Sequence, residues 1–315
     1  MSETRFSIST YDWTPDTEDK MLRITKSSIG TFNWCPKQYQ FEKMQRLPSL
    51  TQDHHIRGVN LHNSLEGFYK RAPEYIPAIL EAAGEGLMQK ALGLTIKAFP
   101  PAQELERHEE DDAQNTPIYK HGEKDGIAKL AEWELDRLII TQGEDFLPVG
   151  NEEWVEVQTE LEVDGVIVPV HICGFIDRIF RDENGGLALM ELKSGKWKGS
   201  KTSSMRQELA VYKFLLDEIR KTPEGKEALR ERGLDAPVTH WGWRFPMGGI
   251  NNGEGPHWHY EPVKKQSMNA MMRKMKAVVR AHLKQEFKAA ADAFKCSFCD
   301  QMAYCPAWMT VGGDV

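Results

Sequence analysis

The sequence predicts an α/β fold in which a central mixed sheet lies between helices, with a helical insertion ahead of the sheet and a small cysteine-bearing lobe drawn from both chain ends. Three observations carry this prediction. Apolar residues recur at helical spacing between Arg57 and Gly150; strict alternation replaces it from Trp154, punctuated by two turn signals; and helical spacing returns at Ser203.

In chain order, Leu61, Leu65 and Phe68 and then Ile127, Leu130, Trp133 and Leu138 mark the first helices. Between them, the acidic, proline-flanked segment Pro100 to Pro117 reads as an exposed loop. Trp154, Glu156, Gln158, Glu160 and Glu162 alternate with Val155, Val157, Thr159, Leu161 and Val163, and Asp164-Gly165 supplies a hairpin turn. A strand from Val166 to Phe180 follows, then Asn184-Gly185-Gly186 and a strand from Leu187 to Lys193. Ser203 to Ile219 is a helix through Leu209, Tyr212, Leu215 and Leu216; Thr239 to Phe245 is another strand, and Met268 to Ala291 a long basic helix. The sheet therefore has four or five strands. The pattern divides a single domain over 24–310 into a helical insertion at about 62–150, a core at about 151–262 and a lobe from about 25–45 plus 290–310.

Composition narrows the class. The 315 residues are 40% hydrophobic and 28% charged with nine Trp, a soluble globular balance rather than that of a disordered or fibrous chain. No apolar run reaches the ~20 residues of a membrane span, and Met1 to Asp12 is polar, so the expected location is the cytoplasm. The net charge of -7 conceals an uneven distribution: Lys193 to Arg206 holds five basic residues and no acid, and Lys264 to Lys288 eight against Glu286 alone. Such runs are compatible either with solvated faces or with a nucleic-acid surface.

The hairpin from Cys173 to Lys193 carries the most informative chemistry. Asp177 and Glu191 lie seven residues either side of Asn184, so symmetric pairing about the turn sets the two carboxylates opposite each other. Lys193, two beyond Glu191, projects from the same face. Phe175, Ile176, Ile179, Leu187, Leu189, Met190 and Leu192 make both strands apolar on both faces, so the acids lie in a buried sheet. Opposed buried acids repel unless a cation is bound, and an all-oxygen set suits Mg²⁺ or Mn²⁺. The bland alternative is a surface hairpin whose acids pair with Arg178 and Lys193.

Gly174-Phe175-Ile176-Asp177 followed by Glu191-Leu192-Lys193-Ser194-Gly195-Lys196 resembles the G-x-x-D and (D/E)-x-K strands of the PD-(D/E)XK nuclease superfamily. That resemblance implies a restriction-endonuclease-like core and metal-dependent phosphodiester cleavage, with Asp177, Glu191 and the Leu192 carbonyl as metal ligands and Lys193 as the catalytic lysine. Gly58-Val59-Asn60-Leu61-His62 opens an amphipathic helix and is similar to the first motif of the RecB-like branch, whose histidine joins the metal site; this implies His62 as a further ligand. Gln207-Glu208-Leu209-Ala210-Val211-Tyr212 resembles that branch's helical Q-x3-Y motif, with Glu208 rather than glutamine four residues before Tyr212.

Five cysteines in an intracellular chain read as ligands or thiols rather than disulfides. Cys296, Cys299 and Cys305 cluster as C-x2-C-x5-C; Cys35, followed by Pro36, is the leading fourth partner, and Cys173 is a buried small hydrophobe. Four thiolates hold either a 4Fe-4S cluster or Zn²⁺. The same split, together with Ser27-Ser28-Ile29, Phe32 and Tyr39-x-Phe41, resembles the iron-sulfur members of the RecB-like nucleases, such as the CRISPR-associated exonucleases and the AddB nuclease, and implies 4Fe-4S.

Lys196-Trp197-Lys198 joins phosphate-seeking charge to an aromatic surface able to stack on an unpaired base. The expectation is a Mg²⁺- or Mn²⁺-dependent DNA exonuclease acting on single-stranded or frayed ends in recombination, repair or phage DNA processing, with a helicase or recombinase as partner. The alternatives are a structure-specific endonuclease on the same fold and a non-catalytic iron-sulfur DNA-binding module.

Overall fold

The structure, a computed structural model, describes residues 21–48, 53–100 and 123–311. The acidic segment at 100–117 lies, but for Pro100, outside the described residues.

The chain enters through β1 (Leu22–Thr25), whose last residue caps α1 (Lys26–Trp34). The Thr25 hydroxyl accepts from the Ser28 backbone N–H and the Thr25 N–H donates to Ser28 Oγ, a capping box that fixes where the helix starts. A short α2 (Pro36–Tyr39) runs into a π-helical turn at Gln40–Met44. Three helices follow: α3 (Asp53–Gly84), α4 (Met88–Ala98) and α5 (Glu123–Thr141). The insertion thus starts earlier than the apolar spacing indicated.

The sheet has six strands, not four or five. β2 (Gly150–Val163) and β3 (Val166–Arg181) form the long hairpin, turning through Asp164 and Gly165 at φ +53° and +80°. β4 (Leu187–Leu192) pairs antiparallel with the end of β3, β5 (Val238–Phe245) runs parallel to β4, and β6 (His257–Pro262) closes the edge. β1 is parallel to β3, with Thr25 opposite Cys173. The two strands the pattern missed are the four-residue β1 and the polar edge strand β6, both too short or too hydrophilic to register as buried alternation.

Helices cover both faces. Leu61, Leu65, Phe68 and Leu130 of α3 and α5 pack on Phe180, Met190 and Leu192. On the other face, α6 (Thr202–Ile219) and α8 (Lys265–Lys284) pack Leu209, Leu215, Met275 and Val278 against Ile179, Leu189 and Trp243. Between α6 and β5 lies α7 (Pro223–Glu231), and two short helices, α9 (Ala293–Cys296) and α10 (Pro306–Val311), end the described chain. The long basic helix stops at Lys284 rather than Ala291, because Gln285 takes a left-handed conformation at φ 53°.

Candidate active site

The β3–β4 turn sets the site. Asp182 Oδ1 accepts from the Asn184 and Gly186 backbone N–H groups at 2.8 and 2.7 Å, and this local ring locks the hairpin register. Arg178 pairs with Met190, and extending that register by one residue sets Asp177 beside Glu191, the arrangement expected from symmetry about Asn184. Both acids are buried. Asp177 Oδ2 accepts from the Leu192 N–H at 2.7 Å. Burial, reinforced by the Glu191 charge, pushes the Asp177 carboxyl above its usual range.

Glu191 has the opposite environment. Its Oε1 accepts from Lys193 Nζ at 2.8 Å and also from Lys26 Nζ. Burial opposes ionisation, but the Lys193 and Lys26 ammonium groups outweigh it and hold Glu191 well below the ordinary carboxylate range. Lys193, whose burial is likewise overcome by Glu191, is pushed up to about 12 and reaches Glu208 Oε2 of α6 at 3.0 Å. Lys26 Nζ lies 5.1 Å from the centroid of the Tyr212 ring. That ring packs against β3 where Gly174 stands; a Cβ there would meet Tyr212 Cε1 at 3.2 Å, which gives the glycine of the G-x-x-D strand a packing reason.

His62 comes in from α3. Close approach of that helix to the end of β4 is tight at Gly58, where a Cβ would meet Ser194 Oγ at 3.3 Å. His62 Nε2 then lies 3.2 Å from the Leu192 carbonyl oxygen and 3.7 Å from Asp177 Oδ2, while Nδ1 lies 3.1 Å from Glu152 Oε1. Burial lowers the basicity of His62, yet Asp177 and Glu152 together raise it above the ordinary imidazole value. Among the described residues, His62, Glu152 and Asp177 bring ligand atoms within 4.8 Å of one another.

These donors suit a divalent cation. Among the described residues one oxygen of the buried pair, Glu191 Oε2, has no hydrogen-bond partner, which leaves its lone pairs open to an ion.

The hairpin register and the lysine two residues beyond Glu191 are thus geometry rather than pattern. A family model of the PD-(D/E)XK nuclease superfamily matches residues 23–306. The chain belongs to that superfamily. Its central mixed sheet flanked by helices is the PD-(D/E)XK fold, and membership implies metal-dependent nuclease activity with DNA as substrate. The crystal structure of SSO0001 is similar to this PD-(D/E)XK chain at 13% identity, over 92% of this chain and 89% of that one, with a TM-score of 0.38; the assignment rests on the family match alone. No curated protein matches the chain. Among the described residues no helix is long and apolar enough to cross a membrane.

The structure brings His62, Asp177, Glu191, Leu192, Lys193, Glu208 and Tyr212 together around the end of β4. Two charged neighbours went unread. Lys26 reaches Glu191, 165 residues away, only because β1 runs parallel to β3, a pairing that leaves no local trace. Glu152 has a left-handed backbone at φ 52°, a conformation costly for any side chain but glycine, and its carboxylate is held between His62 and Arg178.

Trp197 needs correction. It is 5% exposed, stacked on His257 at 3.8 Å between ring centroids and packed against Phe245, so in this conformation it offers no face to a base. The apolar face of β5 and the His257 ring of β6 captured it. Lys196 and Lys198 flank it nearer the surface, and Lys196 with Lys193 makes the Lys201 ammonium, already disfavoured by burial, easier to deprotonate. This part of the site's rim is therefore densely cationic.

The remaining predicted ligands meet elsewhere. Cys35, Cys296, Cys299 and Cys305 line one cavity, and the Ala290 N–H donates to Cys35 Sγ at 3.4 Å. Burial, with the neighbouring Cys35 and Cys296, pushes the Cys299 thiol up. Cys173 is apart from them, buried in β3 and accepting from Arg23 Nε at 3.3 Å.

Proposed function

We propose that the chain is a single RecB-like nuclease domain over residues 24–310, with its helical insertion and a cysteine lobe, and that it is a Mg²⁺- or Mn²⁺-dependent exodeoxyribonuclease. Its substrates are single-stranded or frayed DNA ends in recombination, repair or phage DNA processing in the cytoplasm, beside a helicase or recombinase.

The observation that carries this reading is the shared cavity of the four cysteines, drawn from opposite ends of the chain. That split is the mark of the iron-sulfur RecB-like enzymes. Ligation there ties Cys35 to Cys296, 261 residues further along the chain, the kind of long-range clip that stabilises most by limiting the unfolded chain.

Asp177, Glu191, the Leu192 carbonyl and His62 are the residues that would hold the divalent ion, which supplies an activated water and Lewis acidity at phosphorus. Lys193 holds the attacking water and neutralises charge developing on the phosphoryl oxygens. Glu208 steadies Lys193, and Tyr212 with Lys26 fixes the carboxylate of Glu191. Lys196 and Lys198 draw the DNA backbone toward the site. An intact acid pair and lysine count against a purely binding module.

With Mn²⁺, linear single strands labelled at either end are expected to shorten progressively while circular single strands survive; cutting of the circles would make the enzyme an endonuclease on the same fold. For the lobe, Cys35→Ser is expected to lose bound iron and its brown absorbance in anaerobically purified protein, together with solubility, whereas Cys173→Ser keeps both. Zinc with no iron in the parent protein would replace the cluster with a zinc staple.

A further inference from the structure

The two sides of the metal-ligand cluster differ in chemistry. On one side Lys26, Lys193, Lys196 and Lys201 gather around Glu191 and Glu208, a setting for phosphates. On the other, a groove of about 630 Å³ opens at His62 and Glu152. Among the described residues no lysine or arginine lines it. Its walls carry Val59 and Phe175, with Asn63 and two carboxylates, Glu66 and Glu152. Both carboxylates are already paired, Glu66 with Lys70 and Glu152 with Arg178 and His62; the groove lacks the lysine cluster of the opposite side, and it is large enough for a nucleotide-sized group.

Phe175 is the unusual feature of this groove. It lies on β3 two residues before Asp177, directly across from Trp154 of β2, and is 53% exposed although the strand around it is buried. Trp154 supports the ring at 4.8 Å between centroids with the planes tilted by 58°. The β2 backbone there is tied down, since Arg232 donates to the Trp154 carbonyl oxygen and pairs with the adjacent Glu153. Val59, 57% exposed, lines the groove from α3. A large exposed aromatic, rigidly backed and beside an acid cluster, is a poor surface residue and a good partner for a flat, uncharged ring.

We propose that Phe175 is the stacking platform for the nucleobase next to the scissile phosphate, so that the groove accepts a base only from an unpaired strand. The proposal rests on the single-strand reading above and assigns it a residue. The phosphate lies toward the lysines, the base turns into the groove, and a base still paired and stacked in a duplex cannot make that turn without first unstacking. Because stacking uses the face common to all bases, selection is for unpaired strands rather than for sequence.

The test uses Asp177→Asn protein, in which DNA is bound without being cut, and single strands with 2-aminopurine at successive positions. Quenching is expected to peak at one nucleotide from the bound end. Adding Phe175→Ala is expected to abolish that peak and weaken single-strand binding about 5- to 100-fold, while Phe175→Trp restores both. The exposed position keeps the melting temperature of Phe175→Ala close to that of its parent. If single strands bind better than duplex but Phe175→Ala matches its parent in affinity and quenching, the platform is wrong and the single-strand reading survives. Equal binding of duplex and single strand would overturn both.

Discussion

Asp177→Asn is expected to abolish metal-dependent cleavage, by about three orders of magnitude or more, and at the same time to stabilise the metal-free protein by about 0.5–2 kcal/mol. The reason is the asymmetry of the acid pair. Asp177 is buried beside a second carboxylate, and its folded-state pKa is raised above the usual value of 3.8. A raised carboxyl pKa means that stability is fully present below pH 3.8 and is lost as pH rises through the folded value, so at neutral pH the charge works against the fold. Asparagine removes the charge and still accepts from the Leu192 N–H. Glu191 is expected to behave in reverse: Glu191→Gln is equally inactive but less stable, because Lys26 and Lys193 then face each other without the anion between them. Thermal melts with and without Mn²⁺, run from pH 4 to pH 8, separate the two. Destabilisation by Asp177→Asn at neutral pH without metal would contradict the arrangement. The pattern is that of a site whose charges are arranged for an ion rather than for the fold.

Glu134→Ala is expected to cost about 3–5 kcal/mol, measured as a lower urea midpoint, although the residue touches neither metal nor DNA. Glu134 of α5 is fully buried and pairs with Arg244 of β5, also buried, and with Arg137 at 3.0 Å; Tyr69 donates to it at 2.7 Å. Burial opposes its charge, yet Arg244 and Arg137 hold it at about 2. A depressed carboxyl pKa gives stability that is complete above 4.5 and is lost as pH falls toward 2, so Glu134→Gln is expected to blunt the acid limb of the stability profile. Replacing both members of the buried pair, Glu134→Leu with Arg244→Met, is expected to recover part of the loss, because the fully buried Arg244 charge is removed and only Arg137, nearer the surface, loses its partner. The pair also matters for the site. The Arg244 carbonyl accepts from the Lys193 N–H at 2.9 Å, so the ion pair clamps the helical layer onto the strand end that presents Glu191 and Lys193. Weakened cleavage in Glu134→Ala at temperatures where it remains folded is the accompanying expectation.

The acid pair was legible because everything that fixes it is local. Alternation along β3 and β4 has a period of two, and the turn residues Asp182, Asn184 and Gly185 set the register, so counting from the turn places Asp177 opposite Glu191 and Lys193 beside them. Motif spacing likewise picked out His62, Glu208 and Tyr212, each on a helix whose apolar stripe announces which side faces the sheet. Local chemistry failed where a neighbour is distant in the chain. Trp197 looked like a solvent-facing platform, but its fate depended on His257 and Phe245, contributed by strands 48 and more residues later.

What the sequence determined by itself is therefore the α/β pattern, the facing acids and the four cysteines available for a shared site, since these follow from periodicity, turn chemistry and residue type. Only the tertiary structure decided that Lys26 neutralises Glu191, that Glu152 turns toward His62 through a left-handed backbone, and that Phe175 rather than Trp197 stands open beside His62 and Glu152. The physical reason is range. Hydrogen-bonded turns and side-chain alternation act over a few residues and can be read in order, whereas parallel pairing, burial and charge neutralisation depend on which distant segments the packed core brings into contact.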